Sequence, residues 1–574
     1  MVLHQYDYLL AVGTIFAFLD AWNIGANDVA NSWASSVSSR SISYLQAMCG
    51  ASLMEFSGAL GVGGRVADTI RTKVVDVKAF SAQPALLMLG MVCAVTASSL
   101  YLTMATKFGM PVSTTHSILG GVLGMGIGAL GNKGITWVGY HKDGSLDLKQ
   151  GVVQVFLAWI IAPILSGSFG AMIFLLTKYG VLLRANPAAK GLFLVPIYFW
   201  LTSSLIVMLL IWKGGDYNVA LTEAQIPGVI VGVGAGFALL ITIFLVPWMY
   251  RVVIKEDWQL KTWHILQGPL LLRRGEVPPP PENFTGIVRN YYEGHMTREE
   301  LDARRNRNAA VVTGDVEGQH EAEGQQEKTA VSDVSTEEVP KSSHKSLIGP
   351  KPDGAWYTPA VAFWWLKWAV LRGVDQDIVG SQSEKSVIAG DVEEIHAHAR
   401  HFDNKAEFLY TFLQIMTAAA ASFTHGANDV ANAVGPYASI YQIWKTEVVP
   451  LKADVPRWIL AFGGAGICIG LWTYGYHIMR NLGNRVTLMS PSRGFSMELG
   501  SVITVIMATR LELPVSTTQC ITGAIVGVGL CNGDWRAINW RMVSWIYLGW
   551  FITVPVTGVF SGVLMGFITF SPHW

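Results

Sequence analysis

Two phrases of this chain are each written twice. Gly25-Ala26-Asn27-Asp28-Val29-Ala30-Asn31 returns letter for letter as Gly426-Ala427-Asn428-Asp429-Val430-Ala431-Asn432, and Pro111-Val112-Ser113-Thr114-Thr115 returns as Pro514-Val515-Ser516-Thr517-Thr518. Order and spacing agree in both copies, about 400 residues apart, so the chain holds two diverged copies of one unit. Both phrases set oxygen-bearing side chains inside apolar runs. Any fold must therefore bring paired polar segments together in lipid, which points to a duplicated membrane transporter with a site built from both halves.

Composition supports the lipid setting. Only 14% of residues are charged and 51% are hydrophobic, against about 25% charged in soluble proteins. The 41 basic and 41 acidic side chains cancel, so net charge says nothing about partners; separately, no nucleic-acid partner is expected. Cys49, Cys93, Cys468, Cys520 and Cys531 are scattered singly in or beside apolar runs, as reduced, buried thiols are. No basic stretch precedes a short apolar segment and cleavage site, so no cleaved leader is expected.

At roughly 20 apolar residues per crossing, about twelve stretches qualify. The first half offers 8–24, 44–64, 85–107, 113–131, 151–177, 191–212 and 226–250. The second offers 406–425, 457–478, 495–511, 514–532 and 541–570, the last with a bend expected at Pro555. The chain is thus expected to be an all-α polytopic membrane protein with membrane halves at 1–250 and 405–574 around a hydrophilic centre at 251–404. That centre holds Pro278 to Pro281, a charged run from Arg298 to Arg307, and a Gln/Glu/Ser-rich tract from Gly318 to Ser346 too polar to offset its ordering entropy. Trp356 to Leu371 is apolar but short and carries Lys367, which suits an interfacial or packed helix. Arg251, Lys255, Lys261, Arg273 and Arg274 follow the seventh stretch and place the centre in the cytoplasm. Glycosylation at the sequon Asn283-Phe284-Thr285 would invert that orientation.

A carboxylate at the centre of a spanning helix costs about 2.5–3.5 kcal/mol on insertion scales. Carrying one in both copies, at Asp28 and Asp429, calls for a polar cavity or a cation beside each. Asn27 and Asn428 adjoin them, and the flanking Gly25, Ala26, Gly426 and Ala427 are expected to permit local unwinding that frees carbonyls as ligands. Carboxylate, amide and carbonyl oxygens form a set suited to sodium. A hydrogen-bonded helix contact explains one such phrase; it explains poorly two that are each followed by a second repeated phrase.

Residues 85–131 as one helix would reach about 70 Å, roughly twice a bilayer core. The run must break, and Gly109-Met110-Pro111 is the place, because proline suits a helix start and Ser or Thr caps the N–H groups there. Ser113, Thr114 and Thr115 then sit at a helix N-terminus, which favours an oxyanion; Ser516, Thr517 and Thr518 repeat the arrangement. A lone Ser-Thr pair would be expected only to bond the preceding turn. No Lys or Arg lies in either phrase. The anion's charge would be offset by bound sodium, so that its affinity depends on sodium occupancy, which is cotransport in thermodynamic terms. An inside-negative potential opposes anion uptake by about 2.3 kcal/mol per charge per 100 mV, so a driven importer needs an excess of cations or a steep cation gradient.

Glu55, whose counterpart falls near Ala461, and Glu498 lack matching acids in the other half. Each is a candidate to complete a cation site, carry a proton or pair with a base such as Arg65 or Arg510. His116 and His425 are expected to be hydrogen-bonded structural residues.

These phrases, with Ser490-Pro491-Ser492-Arg493-Gly494-Phe495 and Asn539-Trp540-Arg541-Met542-Val543, resemble the inorganic phosphate transporter family, and within it the fungal sodium-coupled symporters of the plasma membrane. The resemblance implies inverted-topology repeats with broken or re-entrant helices, about twelve spans, a large cytoplasmic loop and homodimers. It implies phosphate and sodium as cargo, with Asn27, Asp28, Asn428, Asp429 and both Ser-Thr-Thr triplets lining a midplane site, and Glu55 and Glu498 as the acidic positions used in transport. No cofactor is implied. Proton coupling, sulfate as substrate, and a phosphate sensor signalling through the central loop are the rival readings. An enzyme is not expected, since no Walker loop, zinc spacing or nucleophile motif occurs.

Overall fold

Helices form at each of the twelve apolar stretches. They were traced in a computed structural model that describes residues 3–65, 74–140, 143, 145–147, 150–213, 221–282, 284, 286–317, 346–383, 386, 388–449, 455–511, 513 and 515–571. The first half contributes α1 (Asp7–Ser38), α2 (Tyr44–Val62), α3 (Pro84–Lys107), α4 (Thr114–Leu130), α5 (Val152–Thr177), α6 (Pro187–Lys213) and α7 (Ile226–Met249). The centre adds α8 (Arg298–Glu317) and α9 (Pro359–Leu371). The second half follows with α10 (Asn404–Thr446), α11 (Arg457–Tyr474), α12 (Pro491–Arg510), α13 (Thr517–Leu530) and α14 (Trp540–Phe570).

Among the described residues, six helices are long and apolar enough to cross a membrane, and a bent pair at α11 makes a seventh. In the two membrane halves, the named helices outside that set are the polar-laden α2, α10 and α12, which bury Glu55, Asp429 and Glu498 in protein, and two short ones. α4 has 17 residues and α13 has 14, about 25 and 21 Å of rise, less than the roughly 30 Å hydrocarbon core. Both are therefore partial crossings. By contrast α5, α6, α7 and α14 expose Ile160, Ile164, Phe193, Leu239, Val559 and Phe567, as lipid-facing helices do.

Local chemistry sets the helix ends. Ser43 and Gln46 form a reciprocal capping box on α2, Pro84 opens α3, and Asp403 and Asn539 cap α10 and α14. Between α3 and α4 the chain turns through Gly109 at φ +68°, where a side chain would be strained and would overlap the Asn481 amide. The break thus falls where expected. Its second-half counterpart Pro514 lies outside the described residues.

The expected unwinding at the Gly-Ala-Asn-Asp phrases does not occur: α1 and α10 run unbroken through them. The glycines serve close packing instead. A Cβ on Gly25 would overlap the Ile467 carbonyl, and one on Gly426 would overlap that of Glu55. The same exchange recurs for Gly58 on Phe423 and Gly470 on Trp22, and for Gly124 on Gly558 and Gly527 on Gly167. Each copy packs its first helix on the other copy's second, α1 on α11 and α10 on α2. Each half-length helix packs on the other copy's last, α4 on α14 and α13 on α5. These contacts match Glu55 with Ile467, which corrects the expected match near Ala461. The helix α14 continues through Pro555.

Parts of the hydrophilic centre are built into the molecule. Tyr291 and Tyr292 are buried, the former bonded to Thr411 (2.9 Å) and the latter donating to Glu407 (2.8 Å). The tract at 318–345 and the sequon residues Asn283 and Thr285 lie outside the described residues. α9 is a short helix with Phe363, Leu366 and Val370 exposed.

Candidate functional site

The unbroken phrases put Asn27, Asp28 and Asn31 on α1 and Asn428, Asp429 and Asn432 on α10, with the starts of α4 and α13 between them. Asp28 and Asp429 are each 1% exposed. Asp28 accepts from Thr114 of its own half (2.8 Å) and Thr518 of the other (3.1 Å). Asp429 accepts from Thr517 of its own half (2.9 Å) and Thr115 of the other (3.3 Å). Each carboxylate is thus held by the first threonine of one triplet and the second of the other. The outer asparagines follow the same exchange: Asn31 donates to Asp28 (3.1 Å) and Thr518 (2.9 Å), and Asn432 to Thr115 (3.2 Å) and Asp429 (3.4 Å). Bonds to a carboxylate are charge-assisted and stronger than neutral ones.

The remaining triplet atoms are the serines. Ser113 Oγ accepts from the His116 N–H (3.2 Å) and Ser516 Oγ from the Gln519 N–H (3.4 Å), so both are helix N-caps whose O–H is still a donor. The first N–H groups of α4 and α13 have no acceptor within their helices, and their partial positive charge points at the carboxylate pair.

Asn27 and Asn428 behave differently. Asn27 donates to Thr106 (3.0 Å) and to the Met110 carbonyl (3.1 Å), and accepts from the Val112 N–H (3.1 Å). Its amide is committed to holding the chain break between α3 and α4. Asn428 donates to Asp429 (2.9 Å).

Of the two unmatched acids, Glu55 joins this cluster and Glu498 does not. Glu55 accepts from Ser422 (3.0 Å) and meets His425 Nδ1 at 2.6 Å. The other ring nitrogen lies 3.0 Å from Asp429 and 3.6 Å from Asp28. A neutral imidazole has one N–H, so this ring between three carboxylates requires an added proton or cation. The repeat image of the His425–Glu55 pair is Ile24 beside Ile467, so the device exists once per chain. Glu498 accepts from Ser35 (2.6 Å), Ser36 (2.8 Å), Gln414 (3.3 Å) and Thr417 (2.6 Å). Ser35 lies two turns from Asp28, about 10 Å along α1.

The sequence reasoning missed Asn31, Asn432 and the central place of His425. The signal was available: Asn31 is three residues from Asp28, and His425 four from Asp429, so each shares a helix face with its aspartate. Beside the cluster lies a cavity of about 10 Å³ lined by residues including Asn31, Thr424, His425, Ser501 and Thr517, of the order of one water.

The sequence pattern of the phosphate transporter family matches residues 24–561. The phosphate-repressible phosphate permease pho-4 of Neurospora crassa is 63% identical, over 100% of this chain and 99% of that one. The sodium-dependent phosphate transporter 2 of Homo sapiens is 28% identical, over 100% and 99%. A solved structure described as the sodium-dependent phosphate transporter resembles this one with a TM-score of 0.63 at 25% identity, covering 98% of this chain and 100% of that one.

Proposed function

The chain belongs to the phosphate transporter family, and on that premise we propose that it is a plasma-membrane symporter that imports inorganic phosphate with sodium, its central segment in the cytoplasm. Relatives named as sodium-dependent phosphate transporters support the choice of ion. The observation that carries the reading is the exchange of threonine hydroxyls between the two aspartates.

A threonine hydroxyl has one proton to give. Phosphate seated between the two helix starts accepts those hydrogen bonds from Thr114, Thr115, Thr517 and Thr518, with the Ser113 and Ser516 hydroxyls and the terminal N–H groups as further donors. Asp28 and Asp429 then lose their threonine donors and keep only the amides of Asn31, Asn428 and Asn432, and a buried carboxylate short of partners is costly. Sodium at each aspartate offsets that cost. Anion and cation thus bind interdependently, with Asn428, Asn31 and Asn432 beside the cations and Asn27 fixing the helix start. Phosphate needs more room than the adjoining 10 Å³ cavity, so its binding separates α4 from α13. Glu55 with His425 balances the charge of the pair, and Glu498, in its own nest of donors, is a separate acidic station.

One observation favours a second reading. His425 among three acids would also suit a proton as the coupling ion. Labelled phosphate uptake into proteoliposomes decides, with a sodium gradient and then with choline at the same pH. Sodium-driven uptake that is lost in Asp28→Asn and in Asp429→Asn is the expected result. Uptake indifferent to sodium but driven by an acid-outside gradient would overturn it in favour of protons.

A further inference from the structure

Asp20 is a buried acid of a membrane helix that this site does not use. It lies two turns before Asp28 on α1, about 12 Å along the axis. It is 0% exposed, and neither carboxylate oxygen has a hydrogen-bond partner. A bare carboxylate in an apolar interior is neutralised by a proton or a cation.

Its surroundings favour the cation. Asn23, one turn on, is fully buried; the two N–H groups of its amide are shared among three acceptors within hydrogen-bond distance, the carbonyls of Leu19 (2.9 Å) and Ser99 (3.0 Å) and Thr103 Oγ1 (2.9 Å). Those carbonyls can only accept, which fixes the amide orientation. The atom left without a partner is therefore the oxygen, Asn23 Oδ1. Residues three apart share a helix face, and here that face is turned to α3. Ser98 of α3 is close enough to interact with the Asp20 carboxylate, but its one hydroxyl proton is committed to Ser117 (3.0 Å), so the Ser98 oxygen faces Asp20 as a further potential ligand and not as its donor. A proton would serve one of the three orphan oxygens on Asp20 and Asn23; a cation serves them together. One negative charge on the set matches one positive charge.

The polar seam between α1 and α3 continues from Asn23 to Asn27 and Thr106, and then to Asp28 and Thr114. It connects Asp20 with the central cluster. The repeat images of Asp20 and Asn23 are Ala421 and Thr424, so the feature occurs once per chain.

We propose that Asp20, Asn23 and Ser98 form a monovalent-cation site on the α1–α3 seam, taken by sodium in addition to the ions at Asp28 and Asp429. The proposal rests on the sodium-coupled reading and adds one ion to it. The test uses the purified full chain, with thermal stability in sodium chloride against choline chloride and with sodium activation of phosphate uptake in proteoliposomes. Asp20→Asn is expected to melt higher than the parent in choline, because it buries no uncompensated charge, and to gain less from sodium. Its half-saturating sodium for uptake should rise about tenfold. Asn23→Ala keeps the carboxylate and should shift sodium activation in the same direction, which preserves the test if Asp20→Asn folds poorly. Sodium responses equal to the parent's in both variants would overturn the site. So would differences that follow pH and not sodium, which would make Asp20 a proton carrier. A parent protein that responds to sodium in neither readout would sink the sodium-coupled reading itself.

Discussion

At the residue scale, the repeated phrases disclosed which side chains matter but not how their atoms are spent. Asp28 and Asp429 stood out because an acid in a spanning helix demands a partner. The sequence could not show that threonines are exchanged between halves, since that depends on how two helix starts 400 or so residues apart meet. Nor could it show that Asn27, beside Asp28, turns to the backbone of the break while Asn31 turns to the site. This division predicts distinct phenotypes. Removing the Asn27 amide strands the Val112 N–H and the Met110 carbonyl in a buried setting, at about 1–3 kcal/mol for each group left unsatisfied. Asn27→Ala should therefore lower the melting temperature and the maximal uptake rate while leaving half-saturating sodium nearly unchanged. Thermal denaturation and a sodium titration on the same preparation check both. A large rise in half-saturating sodium with unchanged stability would show Asn27 to be an ion ligand instead.

At the scale of elements, the break before α4 was legible because an apolar run of 85–131 is too long for one crossing and contains Gly109 and Pro111. The continuity of α1 was not legible. Glycine in a membrane helix permits either loosening or close approach, and only the partner decides. Here the partner of Gly25 is the Ile467 carbonyl, and that of Gly426 is the Glu55 carbonyl, so both glycines are contact residues. Gly25→Ala and Gly426→Ala should each destabilise by about 1–3 kcal/mol through overpacking. Gly61→Ala, where an added Cβ meets nothing within 4 Å, should be neutral or slightly stabilising through helix propensity. Melting curves of the three variants in detergent check this. Equal stability in all three would mean that the α1–α11 and α10–α2 contacts are looser than these carbonyl approaches require. Gly426→Ala has a further consequence, because it pushes on the helix that carries Glu55, so its uptake should fall more than its stability.

At the scale of the whole molecule, composition separated the membrane halves from the hydrophilic centre, yet it treated the centre as one polar stretch. Part of that stretch is a docked strap. Tyr291 and Tyr292 anchor on α10, Arg40 pairs with Glu293 (2.8 Å), and the 396–403 segment packs beside the start of α12. A deletion that spares these anchors should stay within 318–345, since one beginning at 290 would remove them. Histidines lock the strap. His396 Nε2 donates to the Asn484 carbonyl (2.6 Å), so its Nδ1 is the acceptor facing His295 Nδ1 (3.0 Å), and His401 stacks on Tyr292. Burial pushes His396 down to about 4, and burial with the neighbouring His396 holds His295 well below the ordinary histidine value. A histidine lowered in this way binds protons more readily when undocked. Docking is therefore complete above about pH 6.5, weakens as pH falls below it, and loses roughly 3 kcal/mol from His396 alone by the time pH reaches 4. Hydrogen-exchange protection of residues 287–297 and 388–403, corrected for intrinsic rates, should fall as pH drops from about 6.5 to about 4. His396→Gln cannot titrate but can still donate to Asn484, so it should make that profile shallower, with His295 still titrating, while the membrane helices stay protected. Protection that is independent of pH in the parent protein would mean that the strap is held by its tyrosine and arginine anchors and not by neutral histidines.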